Sequence, residues 1–335
     1  MKTKVVYALS SDKTDLYLEQ LVISLYTLRL YNVSSFVVLV VDSITDKLLQ
    51  EDRKIARTLV DDYIIVNTPD GLDKKSRSRY IKTTIRSNVR GRYLFIDTDT
   101  LVTSDLSFVD DIRGDILAVL DRHIGLFDNQ MFFSILNQAS KIGWNITPKD
   151  VNFFNSGVML VEDNDASRIL YSKWHENWKM NYERGLNIDQ PALAIANRDL
   201  GYIIDRLPDT MNCQVLGNGL QYLHDAKIIH YFNSNTRTKL KNYPYKLTKT
   251  EIFLKVRENG YIIDNNIASV ISSPKSLFCN KYEILSDEAL TSYYLPAVQL
   301  QLYLYSFHPF LFKICNIMAK YIFKLAELPK LVHKL

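Results

Sequence analysis

Cysteine is scarce: Cys213, Cys279 and Cys315 stand far apart in 335 residues, and their number is odd. That gives neither a disulfide framework nor a zinc knuckle, and it suits a reducing cytoplasm. Glycine is sparse too, at 11 residues. No Gly-x-Gly-x-x-Gly follows the first apolar strand and no Gly-Lys-Ser/Thr loop occurs anywhere, so two common phosphate cradles are missing. Met1-Lys2-Thr3-Lys4 runs straight into an apolar strand, without the apolar stretch and cleavage site of a secretory leader. The expectation is a cytoplasmic protein. Acidic residues are absent between Lys74 and Arg92, where Lys74, Lys75, Arg77, Arg79, Lys82, Arg86, Arg90 and Arg92 are bunched. Such a run is either a solvated helix face or a phosphate cradle. Tyr80 is its one interleaved aromatic, which argues against nucleic-acid binding.

What is present is a large apolar content, 47% of the chain, enough for one elaborated domain with a small appendage. Short apolar runs alternate with amphipathic stretches. Strands are expected at Val5–Leu9, Phe36–Val41 and Tyr63–Val66, with helices over Thr14–Tyr31, Asp46–Leu59 and Ser78–Asn88. Further on, the pattern predicts strands at Ile116–Leu120 and Phe153–Val161 and helices over Phe127–Lys141 and Ala166–Tyr182, the last with Trp174 and Trp178 packed inside. This order implies a mostly parallel, right-handed α/β sheet. The expected domain spans residues 1–242. Residues 243–335 form a partly helical C-terminal extension.

The segment Tyr93-Leu94-Phe95-Ile96-Asp97-Thr98-Asp99 is a buried-looking strand that ends in two carboxylates one residue apart. At a strand end this spacing lets both carboxylates reach one oxygen-liganded divalent cation, which in turn can hold a diphosphate. Asp-x-Asp alone is a weak signal, since acids after strands commonly serve loops and caps. Its place after a central-type strand is where open α/β sheets bind ligands. Four further segments carry chemistry: Phe154-Asn155-Ser156-Gly157, with a Gly marking a bulge or close approach; Asn187-Ile188-Asp189-Gln190 at a helix start; Ile228-Ile229-His230 at a strand end; and Ala118-Val119-Leu120-Asp121 at another.

In order and spacing these five motifs resemble the retaining glycosyltransferases of family 8, the group of glycogenin and the bacterial lipooligosaccharide galactosyltransferases. The resemblance covers about Lys4 to Arg237. It implies a GT-A fold (a Rossmann-like, nucleotide-diphospho-sugar transferase architecture), a nucleotide sugar donor, most often a UDP-sugar, and Mn²⁺, with Mg²⁺ as the alternative. By position it implies that Asp97, Asp99 and His230 hold the metal. Two carboxylates plus an imidazole suit Mn²⁺ better than Mg²⁺, which rarely takes nitrogen. Ala8, Ser10 and Asp12 match the base and ribose contacts, although Ser10 stands where an acid is common. Arg79 and Lys82 match a basic residue that touches the donor, and Thr98 belongs to the donor site with its two flanking acids. Asp121, Asn155, Asp189 and Gln190 match the pocket of the transferred sugar and the reaction centre. Asn233 and Arg237 stand in for a Gly and a Lys that reach the diphosphate.

Two rivals share parts of this pattern. A sugar nucleotidyltransferase also uses paired acids, but it carries a Gly-rich basic loop after its first strand, and Ser10-Ser11-Asp12-Lys13 is not one. A non-catalytic protein of the same fold has no use for a complete, mutually repelling acidic pair. The stretch from Leu295 to Leu335 is rich in Leu, Phe, Tyr and Lys but interrupted by Gln299, Gln301, His308 and Pro309, which argues against a transmembrane span. It reads as a basic amphipathic segment on an anionic membrane surface, or as helices packed on the domain or on another subunit. With it, the expected acceptor is a glycan or lipid-linked glycan in surface polysaccharide or lipopolysaccharide assembly, at the inner face of the plasma membrane.

Overall fold

The computed structural model describes residues 1–215, 217–232, 250–275, 291–292 and 294–332. Ten strands form two sheets. Strands β1 (Lys4–Leu9), β2 (Val37–Asp42), β3 (Asp62–Val66), β4 (Tyr93–Ile96), β6 (Ile116–Leu120), β7 (Phe154–Val161) and β8 (Ile204–Arg206) make a seven-stranded sheet in the order β3-β2-β1-β4-β7-β6-β8. All run parallel except β7, which is antiparallel to both β4 and β6. The expected mostly parallel α/β architecture is therefore present. A three-stranded sheet, β5-β10-β9, joins β5 (Thr100–Val102), β9 (Cys213–Gln214) and β10 (Ile228–His230).

Strand alternation divides the core. Val5, Tyr7 and Leu9 of β1 face one apolar cluster with helix α1 (Tyr17–Tyr31), while Val6 faces the other. The second cluster is covered by α4 (Lys74–Thr83), α5 (Ile85–Asn88), α7 (Asp165–Glu183) and α8 (Asp189–Asp199). Trp174 and Trp178 of α7 are buried in it, as their i, i+4 spacing predicts. Burial of a Trp removes about 200 Å² of surface, worth about 5 kcal/mol, against about 1 kcal/mol for the Asn164 capping box that starts α7. Packing therefore dominates in holding this helix.

Three expected helices are differently bounded. The helix expected over Asp46–Leu59 is broken into α2 (Ser43–Leu48), a 3₁₀ turn and α3 (Ile55–Thr58), because the chain turns at the buried Leu49 and Glu51 takes a left-handed φ of 52°. The helix expected from Ser78 starts earlier, at Lys74, where Asp73 caps the Ser76 N–H. It pauses at Thr84, where the Thr83 and Thr84 hydroxyls donate back to the carbonyls of Arg79, Tyr80 and Ile81. In the third, Phe127 lies in a 3₁₀ turn, and α6 runs over Phe132–Ile142.

The chain separates into two compact units, and residues 250–275, read from sequence as the start of the extension, belong to the larger one. There, α9 (Thr250–Glu258) and α10 (Asn265–Ile271) add Phe253, Val256, Ile267 and Ile271 to the first core cluster, and Arg257 pairs with the buried Glu19 of α1 at 2.8 Å. The smaller unit contains the helices Pro296–Phe307 and Pro309–Val332. Among the described residues, no helix is long and apolar enough to cross a membrane.

Candidate active site

The acidic motif is fixed by the junction of the two sheets. The Thr100 hydroxyl donates to the Asp97 carbonyl at 2.8 Å and joins a buried chain through Ser24 to Tyr7. In the small sheet, His230 of β10 is opposite Thr100 of β5, and Tyr231 N–H donates to the Asp99 carbonyl at 3.1 Å. That register brings His230 Nε2 to 3.2 Å from Asp99 Oδ1. One ligand atom from each of Asp97, Asp99 and His230 lies within 4.8 Å of the others. The donor set, two carboxylates and an imidazole, fits a divalent cation.

The electrostatics of the pair point the same way. Burial raises the Asp97 carboxyl above its ordinary value and Asp99 adds to this, against the pull of Lys82 and His230. Burial opposes ionisation of Asp99 too, but His230, backbone hydrogen bonding and Lys82 together outweigh it and hold that carboxyl below the usual range. Two adjacent acids, Asp99 buried and Asp97 partly so, thus depend on nearby positive charge to stay ionised together. Lys82 supplies some of it, with its Nζ 3.0 Å from both carboxylate oxygens of Asp97 and 3.7 Å from Asp189.

Asp189 begins α8, where its carbonyl accepts from the Trp174 indole at 2.9 Å. Its carboxylate meets Arg79 Nε at 2.9 Å and accepts from the Ser156 hydroxyl at 2.8 Å. Burial pushes this carboxyl up, yet Arg79, Lys82 and Ser156 together outweigh burial and hold it at about 2. Because the folded value lies below the unfolded one, the carboxylate stabilises the fold above about pH 4, and that stability is lost as pH falls through about 2. The contribution is about 2 kcal/mol. Between pH 4 and 2 the urea stability of the parent is expected to fall by about this much more than that of Asp189→Asn; parallel curves for the two proteins would refute the assignment.

A third group lies beside these. Asp121, just after β6, accepts at Oδ1 from Asn155 Nδ2 at 3.2 Å and Gln190 Nε2 at 3.1 Å, and at Oδ2 from Asn129 Nδ2 at 3.3 Å. Gln190 Nε2 also donates to the Phe154 carbonyl at 3.3 Å, so both its amide hydrogens are committed and Oε1 remains an acceptor. In β7, Ser156, Gly157 and Val158 bulge out of the ladder with β6, which resumes at Asn155 opposite Val119 after a register jump between Ala118 and Val119. Alternation sends Ser156 to Asp189, and Asn155 and Gly157 toward His230. A Cβ on Gly157 would lie 2.3 Å from His230 Cε1, so both readings of this Gly, bulge and close approach, are realised.

Ala8 lies in β1, and Ser10 and Asp12 follow it, next to β4 in the sheet. Ser10 Oγ is buried and finds no hydrogen-bond partner among the described residues. Asp12 pairs with Lys74 at 2.7 Å and accepts from Thr14, which keeps its carboxyl depressed despite some burial. Thr98 occupies the turn between the two acids. Asn233 and Arg237 lie outside the described residues.

Sequence reasoning missed four residues: Ser156, His123, Asn212 and Gln214. Gln214 accepts from Arg122 N–H and donates to the Leu120 carbonyl, each at 2.8 Å. His123 accepts from Gln214 N–H at 3.1 Å and bonds Asp209 at 2.8 Å. They hold the left-handed Arg122 and His123, at φ 56° and 59°, in the turn that aims Asp121. The available signal was Asn212-Cys213-Gln214, two amides flanking a small apolar residue in a segment that otherwise reads as a minor strand.

No protein-family model matches the chain, and no curated protein matches it. Solved structures do. The galactosyltransferase LgtC, in complex with donor and acceptor sugar analogs, superposes with a TM-score of 0.51 at 14% identity, over 80% of this chain and 99% of that one. Mouse xyloside xylosyltransferase 1, in its apo form, gives 0.46 at 14% identity over 69% and 98%. The glycosyltransferase GlyE of Streptococcus pneumoniae TIGR4 gives 0.46 at 17% identity over 85% and 67%. The fold of this chain is the GT-A fold of LgtC.

Proposed function

We propose that a chain with this fold and this site is a metal-dependent, retaining glycosyltransferase, moving a hexose from a nucleotide diphosphate sugar, a UDP-sugar, to a glycan or lipid-linked acceptor. The observation that carries the reading is the convergence of Asp97, Asp99 and His230 at the carboxyl end of β4, with Asp121, Asn155, Asp189 and Gln190 grouped beside it. LgtC, which has the same fold, was solved with donor and acceptor sugar analogs.

Asp97, Asp99 and His230 would hold the cation, Mn²⁺ by the chemistry of the donor set. When bound, it supplies the charge that neutralises a diphosphate leaving group. Lys82 and Arg79 line the same region and add positive potential where that charge grows. Asp189, ionised and fixed by Ser156, suits a hydrogen bond from a sugar hydroxyl. Gln190, held by Asp121, presents Oε1 to positive charge developing at the anomeric carbon. Asp189 is ion-paired and weakly basic, a poor nucleophile, which supports retention by same-face attack rather than through a covalent glycosyl-enzyme. Ala8, Ser10, Asp12 and Thr98, together with Asn233 and Arg237, complete the proposed donor contacts.

The test is nucleoside diphosphate release from a panel of nucleotide sugars with and without Mn²⁺. Mn²⁺-dependent turnover of one donor is the expected result. Release that is indifferent to chelator and to added cation would overturn the metal-dependent reading.

We also propose that the second unit binds an anionic membrane surface, as a peripheral anchor near a lipid-linked acceptor. Phe310, Ile314, Ile317, Met318, Tyr321 and Leu325 form a solvent-exposed apolar stripe on one helix, with Lys313 and Lys320 exposed on it as well. Deletion of residues 295–335 is expected to abolish cosedimentation with phosphatidylserine vesicles. Unchanged cosedimentation would refute the anchor.

A further inference from the structure

We propose that Asn212 is a positioning residue for His230, fixing which ring nitrogen carries a hydrogen and so which one is free to coordinate; this rests on the metal reading of the site. Asn212 is completely buried just before β9. Its Oδ1 lies 3.1 Å from His230 Nδ1, and its Nδ2 lies 3.0 Å from Asn155 Oδ1.

The polarity of this chain is imposed from its far end. The carboxylate of Asp121 can only accept, so Asn155 must present its Nδ2 to it, at 3.2 Å. Asn155 Oδ1 then points the other way, where the Gly157 N–H, at 2.9 Å, confirms that an acceptor is required. Asn212 must therefore donate to Asn155 and is left with Oδ1 toward the imidazole. Flipping either amide would set two acceptors or two donors face to face in a buried site and leave each of them unpaired. Oδ1 at Nδ1 demands an Nδ1–H. The atom on the Asp99 side is then Nε2, 3.2 Å from Asp99 Oδ1, the nitrogen that would coordinate once a cation displaces the hydrogen it shares with that carboxylate. One line of hydrogen bonds thus runs from the proposed sugar pocket at Asp121 to the proposed metal ligand.

Two measurements test this. In protein labelled with ¹⁵N in its imidazoles, with His230 assigned by difference from His230→Gln, Nδ1 is expected to carry hydrogen both metal-free and loaded with Zn²⁺. An unprotonated Nδ1 in the parent would overturn the inference with no variant needed. The second is Mn²⁺ affinity, read by electron paramagnetic resonance of the free ion. Asn212→Leu is expected to bind about 10–100-fold more weakly than the parent, while Asn212→Asp, which loses the donation to Asn155 but still accepts from Nδ1–H, is expected to lose clearly less than Asn212→Leu. Parent-like affinity in Asn212→Leu would overturn the inference, and so would equal loss in both variants, which would reduce the amide to packing. If Asn212→Leu fails to fold, the Asp variant and the parent spectrum decide. A parent that binds no Mn²⁺ at all would refute the metal reading, while the Nδ1 spectrum would still judge the placement of the hydrogen.

Discussion

Asp99→Ala is expected to lower Mn²⁺-dependent donor cleavage by about 10³-fold and to leave the fold intact. The cation's stabilisation of developing charge is worth several kcal/mol, and each 1.36 kcal/mol is tenfold in rate. Removing Asp99 takes one of two carboxylates from the cluster and deprives His230 Nε2 of its neighbour at 3.2 Å. Stability should hardly change, because the hydrogen bond that Asp99 makes to Tyr231 comes from its backbone carbonyl and survives any substitution. Loss of a buried like-charge neighbour also relieves Asp97. The measurements are steady-state nucleoside diphosphate release and a melting curve for parent and variant. Activity within threefold of the parent in a folded Asp99→Ala protein would show that this carboxylate holds nothing the reaction needs.

Gly157→Ala should do comparable damage by a steric route. The new methyl would lie 2.3 Å from His230 Cε1, 2.7 Å from Nδ1 and 2.9 Å from Asn155 Oδ1. On its other side the imidazole stacks on Phe232, with ring centroids 3.9 Å apart, so it has no room to retreat. Overpacking of this kind costs about 1–3 kcal/mol, which for a chain of this size lowers the melting temperature by a few degrees. The larger consequence falls on the cation. With the ring displaced from Asp99 and its Nδ1 contact disturbed, Mn²⁺ affinity is expected to fall by about 100-fold, the upper end of what second-shell disruption costs. Calorimetric titration of Mn²⁺ into parent and variant reads this directly. Equal affinity would mean that the imidazole is not seated against β7.

The residues that were legible from sequence and those that were not differ for a physical reason. The apolar run before Asp97 and its parallel neighbours were readable because strand burial on both faces writes itself as continuous Val, Ile and Leu. The acids at 97 and 99, the helix start at 189 and the Gly at 157 were readable because each breaks a local pattern. The antiparallel insertion of β7 between β4 and β6 was not, since pairing direction leaves no trace in a strand of eight buried residues. Asn212 and Gln214 left only the faint mark of two amides around a Cys, because a buried amide is informative chiefly through partners that are distant in the chain. The break after Leu49 turned on one left-handed Glu51, a conformation that no side chain there announces.

The short pairing of β10 with β5 also has a meaning in time. His230 and Asp99 are far apart in the sequence, and their meeting depends on a three-residue register between the short strands β10 and β5 rather than on any local element. Contacts of that range form late, because a long loop must close before they repay its entropy. On a ribosome, the paired acids emerge well before the imidazole that completes them exists. Until β10 pairs, the carboxylates have Lys82 as their counter-ion and no third ligand, and the three-ligand cluster marks the molecule as finished.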